Sequence, residues 1–144
     1  MSQFETSTTL FRANIGEHMT RAVHEHRPTA IRRGSRDLAL LIGAQDLIKL
    51  MPQQRFSPEV LASDEGVSVW LPEFEIYGQG TTLAEAMIDL EAEVREYISW
   101  YLESDASRAP NRSHQFAHVL RALIADVNSR LHDELFSEAQ PAGV

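Results

Sequence analysis

From Leu83 to Tyr101 the residues Leu83, Met87, Leu90, Val94, Tyr97 and Tyr101 recur at steps of four, three, four, three and four. That spacing keeps returning to one face of a 3.6-residue helix, so the segment is committed to one long helix with a single apolar stripe. Thr82 and Glu85 at its start read as a T-x-x-E capping box, each side chain expected to satisfy an orphan backbone amide. Glu85, Asp89, Glu93 and Glu96 fall mostly off the stripe.

Three strands are expected before this helix. Arg55 to Ala62 is the first, and its Pro58 favours an edge or a bulge. Asp64-Glu65-Gly66 is a hairpin turn, and Val67, Val69 and Leu71 then alternate with Ser68 and Trp70 until Pro72 ends the second strand. Glu75 to Gly80 is the third. The order is β-β-β-α.

Turn-rich points separate this part from its flanks. Pro52 ends a helix in Met51-Pro52-Gln53-Gln54, and a polar stretch runs from Ser104 to Asn111. Three segments follow: 1–52, 53–104 and 111–137. In the first, a short strand is expected at Gln3 to Glu5, then a helix capped by Thr8 or Thr9 with Phe11, Ile15, Met19, Ala22 and Val23 at helical spacing. His26-Arg27-Pro28 breaks it. Thr29–Arg32 and Leu38–Ile42 read as two strands joined by Arg33-Gly34-Ser35-Arg36, and Ala44 to Met51 as a short helix. The last segment reads as one helix from about Ser113 to Phe136. Its stripe is Phe116, Leu120, Leu123, Val127, Leu131 and Leu135, widened by Val119 and Ile124. So broad a face either packs back on the middle segment or meets an oligomer or another protein.

The chain has 144 residues, 43% of them hydrophobic, enough to bury a core. It has no cysteine, which excludes disulfides and thiol catalysis. Its start lacks the pattern of a signal peptide, and no apolar run approaches the roughly 18 residues of a membrane span; a cytoplasmic protein with no membrane partner is expected. The net charge of −8 is uneven. Residues 1–51 carry seven Lys/Arg against five Asp/Glu, while residues 52–103 carry two against eleven. The acidic part repels phosphates and suits a basic protein partner; the basic end can still bind nucleic acid, above all if a dimer doubles it.

Enzyme chemistry finds little support. His114 and His118 share a helix face, but no HExxH and no third ligand accompany them. Glu73 and Glu75 flank Phe74 with no nucleophile or phosphate loop. Gly78-x-Gly80 is too short for a nucleotide fingerprint. No catalytic residue, metal or cofactor is expected.

Residues 3–51 resemble the Phd/YefM antitoxin family. The resemblance rests on Phe11-Arg12-Ala13-Asn14-Ile15, on Met19 and Ala22-Val23, on His26-x-Pro28, and on the hairpin Ile31 to Gly34. It implies a β-α-β-β-α module whose homodimer binds operator DNA. The helix-start and hairpin arginines of the family fall on Arg12 and Arg33, with Arg32 and Arg36 beside them. Arginine suits the task, since its planar fork grips a phosphate or a guanine edge with two hydrogen bonds. Phe11 departs from the small residue usual there.

Residues 55–103 resemble the HicB antitoxin fold, a partial ribonuclease-H-like unit. Asp64 to Pro72, the turn Gly78-Gln79-Gly80-Thr81-Thr82-Leu83 and Glu85-Ala86 carry this likeness. It implies toxin binding without catalysis; the inward carboxylate cluster of a nuclease is missing, the acids lying in turns and on a helix face. HicB proteins usually carry their DNA-binding part after this unit, whereas here a Phd-like module precedes it.

The expectation is therefore an α+β protein, a type II antitoxin forming a homodimer or higher homo-oligomer. It would repress its own operon and neutralise a small ribonuclease toxin, with a PIN-type nuclease favoured. Arg108, Arg112, Arg121 and Arg130 are candidates to enter the carboxylate cluster of such a nuclease. Glu91, Glu93 and Glu96 would suit a basic RNA-cleaving partner instead. The alternative is a dimeric transcription regulator or scaffold without a toxin.

Overall fold

A computed structural model describes residues 2–137. The fold is mixed α+β, with two compact units, Met1–Pro52 and Gln53–Val144, each built on its own three-stranded sheet.

In the first unit β1 (Glu5–Ser7) runs parallel to β2 (Thr29–Arg33), and β2 pairs antiparallel with β3 (Asp37–Leu41). The first strand lies two residues later than its sequence suggested, because Ser7 serves twice. Its extended backbone ends the strand opposite Arg32, and its hydroxyl accepts the Leu10 amide at 3.2 Å, capping α1 (Thr8–Ala13). The cap is thus Ser7, not Thr8 or Thr9.

The single first helix expected from the sequence is two. Asn14 interrupts it between α1 and α2 (Ile15–His24), where its side-chain amide donates to the Leu10 carbonyl at 2.9 Å and competes for the helical ladder. After α2, His26 adopts a left-handed φ of 57° and Pro28 leads into β2. The hairpin turns at Gly34, whose φ of 65° a side chain would strain. A short α3 (Ala44–Lys49) closes the unit, with Asp46 Oδ1 2.9 Å from His26 Nδ1.

The face of α2 that is buried is unexpected. His18 and Ala22 are buried, and His18 Nδ1 meets the Thr29 hydroxyl at 3.3 Å. Ile15, Met19 and Val23, which share helical spacing with Ala22 in the sequence, are each 47% exposed.

In the second unit β4 (Glu59–Ser63), β5 (Gly66–Leu71) and β6 (Ile76–Gly80) form an antiparallel meander in that order. The first strand is shorter than expected: Pro58 precedes it, and the Ser57 amide is taken by the Glu73 carboxylate at 3.0 Å instead of by a neighbouring strand. The long helix α4 (Leu83–Glu103) packs across β5 and β6. The Thr82 hydroxyl accepts the Glu85 amide at 3.2 Å. Half of the capping box differs, because the Glu85 carboxylate accepts from the Thr81 amide at 2.9 Å and its hydroxyl at 2.6 Å, one residue before the cap. Those hydrogen bonds hold the Glu85 carboxyl below the usual carboxylate range.

Val69, Leu71 and Phe74 meet Ala86, Leu90, Val94, Ile98 and Tyr101 in the core. Leu83, at the head of the expected stripe, is exposed, so the buried face starts a turn later at Ala86. Gly78 explains the close fit: a Cβ there would stand 2.3 Å from the Ala86 carbonyl oxygen and 2.5 Å from the Leu90 nitrogen. The Gly78-x-Gly80 pair lets strand and helix backbones touch.

The C-terminal helix is also two, α5 (Phe116–Val127) and α6 (Leu131–Phe136). Ser129 takes a left-handed φ of 58°, its amide donates to Asp126 at 3.0 Å and the Arg130 amide to Ala125 at 2.8 Å. This is the hydrogen-bond pair of a Schellman ending. It turns the chain so that Leu131, Leu135 and Phe136 enter the core beside Val119 and Ala122. Phe116 and Val127, assigned to the stripe by spacing, are exposed. The segment folds back on its own unit, with Arg95 Nε 2.9 Å from Asp126 Oδ1 and His132 Nδ1 3.3 Å from Glu91 Oε2.

Candidate functional site

Arg32, Arg33 and Arg36 lie at the hairpin end of the first sheet, whereas Arg21 and Arg27 line a cavity at the other end of β2, beside Pro28 and Thr29. Register places Ser7, the start of α1, opposite Arg32, the penultimate residue of β2. Thr8, Ile31, Arg33 and Leu38 line one shallow depression between α1 and the hairpin. Arg12 follows Thr8 by four residues, about one helical turn. Arg12 and Arg36 are exposed and make no ion pair among the described residues. Arg33 is exposed, its guanidinium resting on Asp37 through two contacts of 2.7 and 2.9 Å. Arg32 is the most restrained, since its Nε donates to Glu5 at 3.1 Å across the parallel pair.

Surface ion pairs such as Arg33–Asp37 contribute little and exchange readily. A phosphate can therefore replace the Asp37 carboxylate, whereas displacing Glu5 from Arg32 costs more. The same unit leaves Leu10, Ile15, Met19, Val23, Leu38 and Leu40 exposed. Among the described residues its buried side chains outside Met51 are Thr6, His18, Ala22 and Thr29, with Gly43 buried as well, a slight core for such a unit.

In the second unit the four candidate arginines sit on different elements. Arg121 is buried: its side chain is 7% exposed and its Nη1 donates to Glu134 at 2.8 Å, tying α5 to α6. Arg112 packs its guanidinium 5.2 Å from the centre of the Trp100 ring and donates to the Tyr97 hydroxyl at 2.7 Å. Tyr97 in turn donates to Gln115, whose side-chain amide donates to the Glu73 carbonyl at 3.0 Å. Arg112 thus belongs to a network that holds the α4–α5 connection. Arg108 is exposed and pairs with Asp105, and Arg130 is exposed at the α5–α6 corner. Of the acidic trio Glu96 is exposed, Glu93 half-buried, and Glu91 largely covered against His132.

His118 packs against Phe56 and Phe74, with Nε2 3.3 Å from the Arg55 carbonyl. Burial in that aromatic setting pushes its pKa down. His114 is exposed on the turn before α5. Among the described residues no three His, Asp or Glu side chains converge as a metal site, and no helix is long and apolar enough to cross a membrane.

Sequence reasoning missed the outer face of the second sheet. Trp70 and Tyr77 stand there with ring centres 4.5 Å apart, on the side away from α4. The signal was present: Trp70 is out of phase with Val69 and Leu71, which are fully buried.

Comparison with known proteins accords with this architecture. No curated protein matches the chain significantly. Among solved structures, a chain from Syntrophomonas wolfei subsp. wolfei, described as the antitoxin part of a proposed toxin/antitoxin system, superposes with a TM-score of 0.70. The two are 21% identical, and the match covers 94% of this chain and 96% of that one. At that identity the likeness is one of fold. A family model described as "PHD_like: Antitoxin of toxin-antitoxin, RelE / RelB, TA system" matches residues 1–135. With nearly its whole length accounted for, the chain belongs to this PHD-like family of antitoxins.

Proposed function

We propose that this antitoxin pairs through its first unit, binds the operator of its own operon with the paired arginines, and neutralises a toxin by direct contact with its acidic second unit. One observation carries the reading. The first unit exposes an apolar stripe, Ile15, Met19 and Val23, together with Leu38 and Leu40, while Arg12 and Arg36 make no ion pair among the described residues. A surface that apolar needs a partner, and a second copy would double the cationic end. The toxin is a small ribonuclease. Of the arginines that could enter the carboxylate cluster of a PIN-type partner, Arg121 is buried and Arg112 packs on Trp100, and the acidic helix α4 favours a basic RNA-cleaving protein. This accords with the RelE/RelB wording of the family description.

Binding to the DNA upstream of the coding sequence, followed across a salt titration, tests the proposal. Each phosphate contact contributes about 0.9 to the logarithmic salt slope, so losing two arginines from each of two protomers lowers it by about 3 to 4. Arg12→Ala with Arg33→Ala is expected to show that drop and still neutralise the product of the neighbouring reading frame. An unchanged slope overturns the assignment of the arginines. Loss of neutralisation as well overturns the division between units.

A further inference from the structure

We propose that the outer edge of β4 receives an extended, cationic segment of the toxin as a fourth strand of the second sheet. This rests on the toxin-binding reading above and gives it a place and a chemistry. The sheet has two edges, β4 and β6. The β6 edge is guarded: the Gln79 amide donates to Asp89 Oδ2 at 2.8 Å, and α4 lies along the strand. Among the described residues the β4 edge has no such guard. All five of its residues are exposed, and β5 is its only strand partner among the described residues. In an antiparallel pair alternate residues turn their amide and carbonyl away from the neighbour, so β4 offers a free row of both.

Proteins usually blunt such an edge with lysine, proline or a bulge. Residues 59–63 contain no lysine or proline, and their register with β5 runs without a bulge from Glu59↔Trp70 to Ser63↔Gly66. The adjoining face is suited to side chains as well. Across the sheet, Glu59, Trp70 and Tyr77 form one row, and Leu61, Ser68 and Gln79 the next. Leu61 is 56% exposed.

Charge selects the occupant. Residues 56–94 hold nine carboxylates and no Lys, Arg or His. Glu59 lies on β4, and Asp64 and Glu65 form the turn at its end. A second copy aligned on this edge would bring those acids against their own kind, and a nucleic acid would be repelled. A strand alternating cationic and apolar side chains satisfies all three features: it pairs with the backbone, meets the acids, and covers Leu61.

The full chain, a synthetic peptide of about nine residues alternating Lys with Val and Thr, and its glutamate counterpart provide the test. Amide hydrogen exchange is read residue by residue. The lysine peptide is expected to slow exchange in β4 by about tenfold or more at low salt, leaving β1–β3 unchanged. The glutamate peptide is expected to do nothing. Glu59→Lys with Glu65→Lys, both exposed, is expected to invert that preference with the circular dichroism of the chain preserved. The proposal is overturned by absent protection of β4, by equal response to both peptides, or by β4 protection that grows with the concentration of the chain alone, which would assign the edge to a second copy. No toxin enters this assay, so its failure leaves toxin neutralisation standing. Failure to neutralise leaves the peptide result intact.

Discussion

Arg121 and Glu134 meet at 2.8 Å, joining α5 to α6 through a side chain almost withdrawn from water. Breaking a buried pair by removing one member is costlier than never having had the pair, because the charge that stays behind loses compensation where water is scarce. Glu134→Gln and Arg121→Ala are each expected to lower the stability of the second unit by about 2–4 kcal/mol. Urea denaturation followed by tryptophan fluorescence checks this, both tryptophans lying in that unit. Operator binding by the first unit should be retained under native conditions. A loss below about 0.5 kcal/mol would mean the pair is an ordinary surface contact.

Gly78→Ala is expected to be far more damaging than its single methyl suggests. The added carbon would fall within 2.6 Å of three atoms of α4, two of them backbone. Overpacking commonly costs about 1–3 kcal/mol, and a backbone obstacle, which cannot rotate aside, places this change at or above the top of that range. Gly16→Ala in α2 is the matched contrast, since nothing lies within 4 Å of the new methyl. It should raise stability by about 0.5–1 kcal/mol through helix propensity. Thermal unfolding of both variants decides the point.

The His118 environment gives the second unit a pH dependence. Burial depresses its folded-state pKa, so the unfolded chain binds the proton more tightly. Nearby Glu73 opposes the shift, while Arg121 and His114 add to it. The contribution is therefore fully present above the unfolded value of about 6.5 and is lost as pH falls through the lower folded value. The urea midpoint is expected to decline below about pH 6.5, and His118→Gln should flatten that part of the curve. A midpoint that rises on acidification would contradict the assignment.

Met19→Asp places a charge in the centre of the exposed stripe on α2. The helix itself should survive, because the side chain does not enter the core of its unit. Sedimentation equilibrium is expected to show self-association weakened by at least about tenfold, with operator affinity falling alongside. Association unaffected by the charge would move the pairing surface away from this face.

Much of the second unit is legible in the sequence because one strong period dominates it. The stripe from Leu90 to Tyr101 sets α4, and Val69 and Leu71 set the buried side of the sheet. The hairpin at Gly34 is equally plain, since only one residue there tolerates a positive φ without strain. The breaks are harder to read. Asn14 and Ser129 sit inside patterns that continue across them, and what divides the helices is local hydrogen bonding that apolar spacing does not encode. Spacing is least telling on α2, where Ile15, Met19 and Val23 share the apolar period yet are exposed, while His18 is buried. The periodicity reports an apolar face truly, but it cannot say whether the surface covering that face belongs to the same chain. The arginines of the first unit were visible as charge, and their neighbours were not: Glu5 holds Arg32 across two strands twenty-seven positions apart.

The left-handed corner at Ser129 has a further consequence. It lets a helix of six residues act as a stopper, with Leu131, Leu135 and Phe136 plugging the flank of a much larger helix. A single short turn held by few bonds is the first part of such a body to come loose. Proteolysis of the second unit is then expected to follow how often that plug lifts.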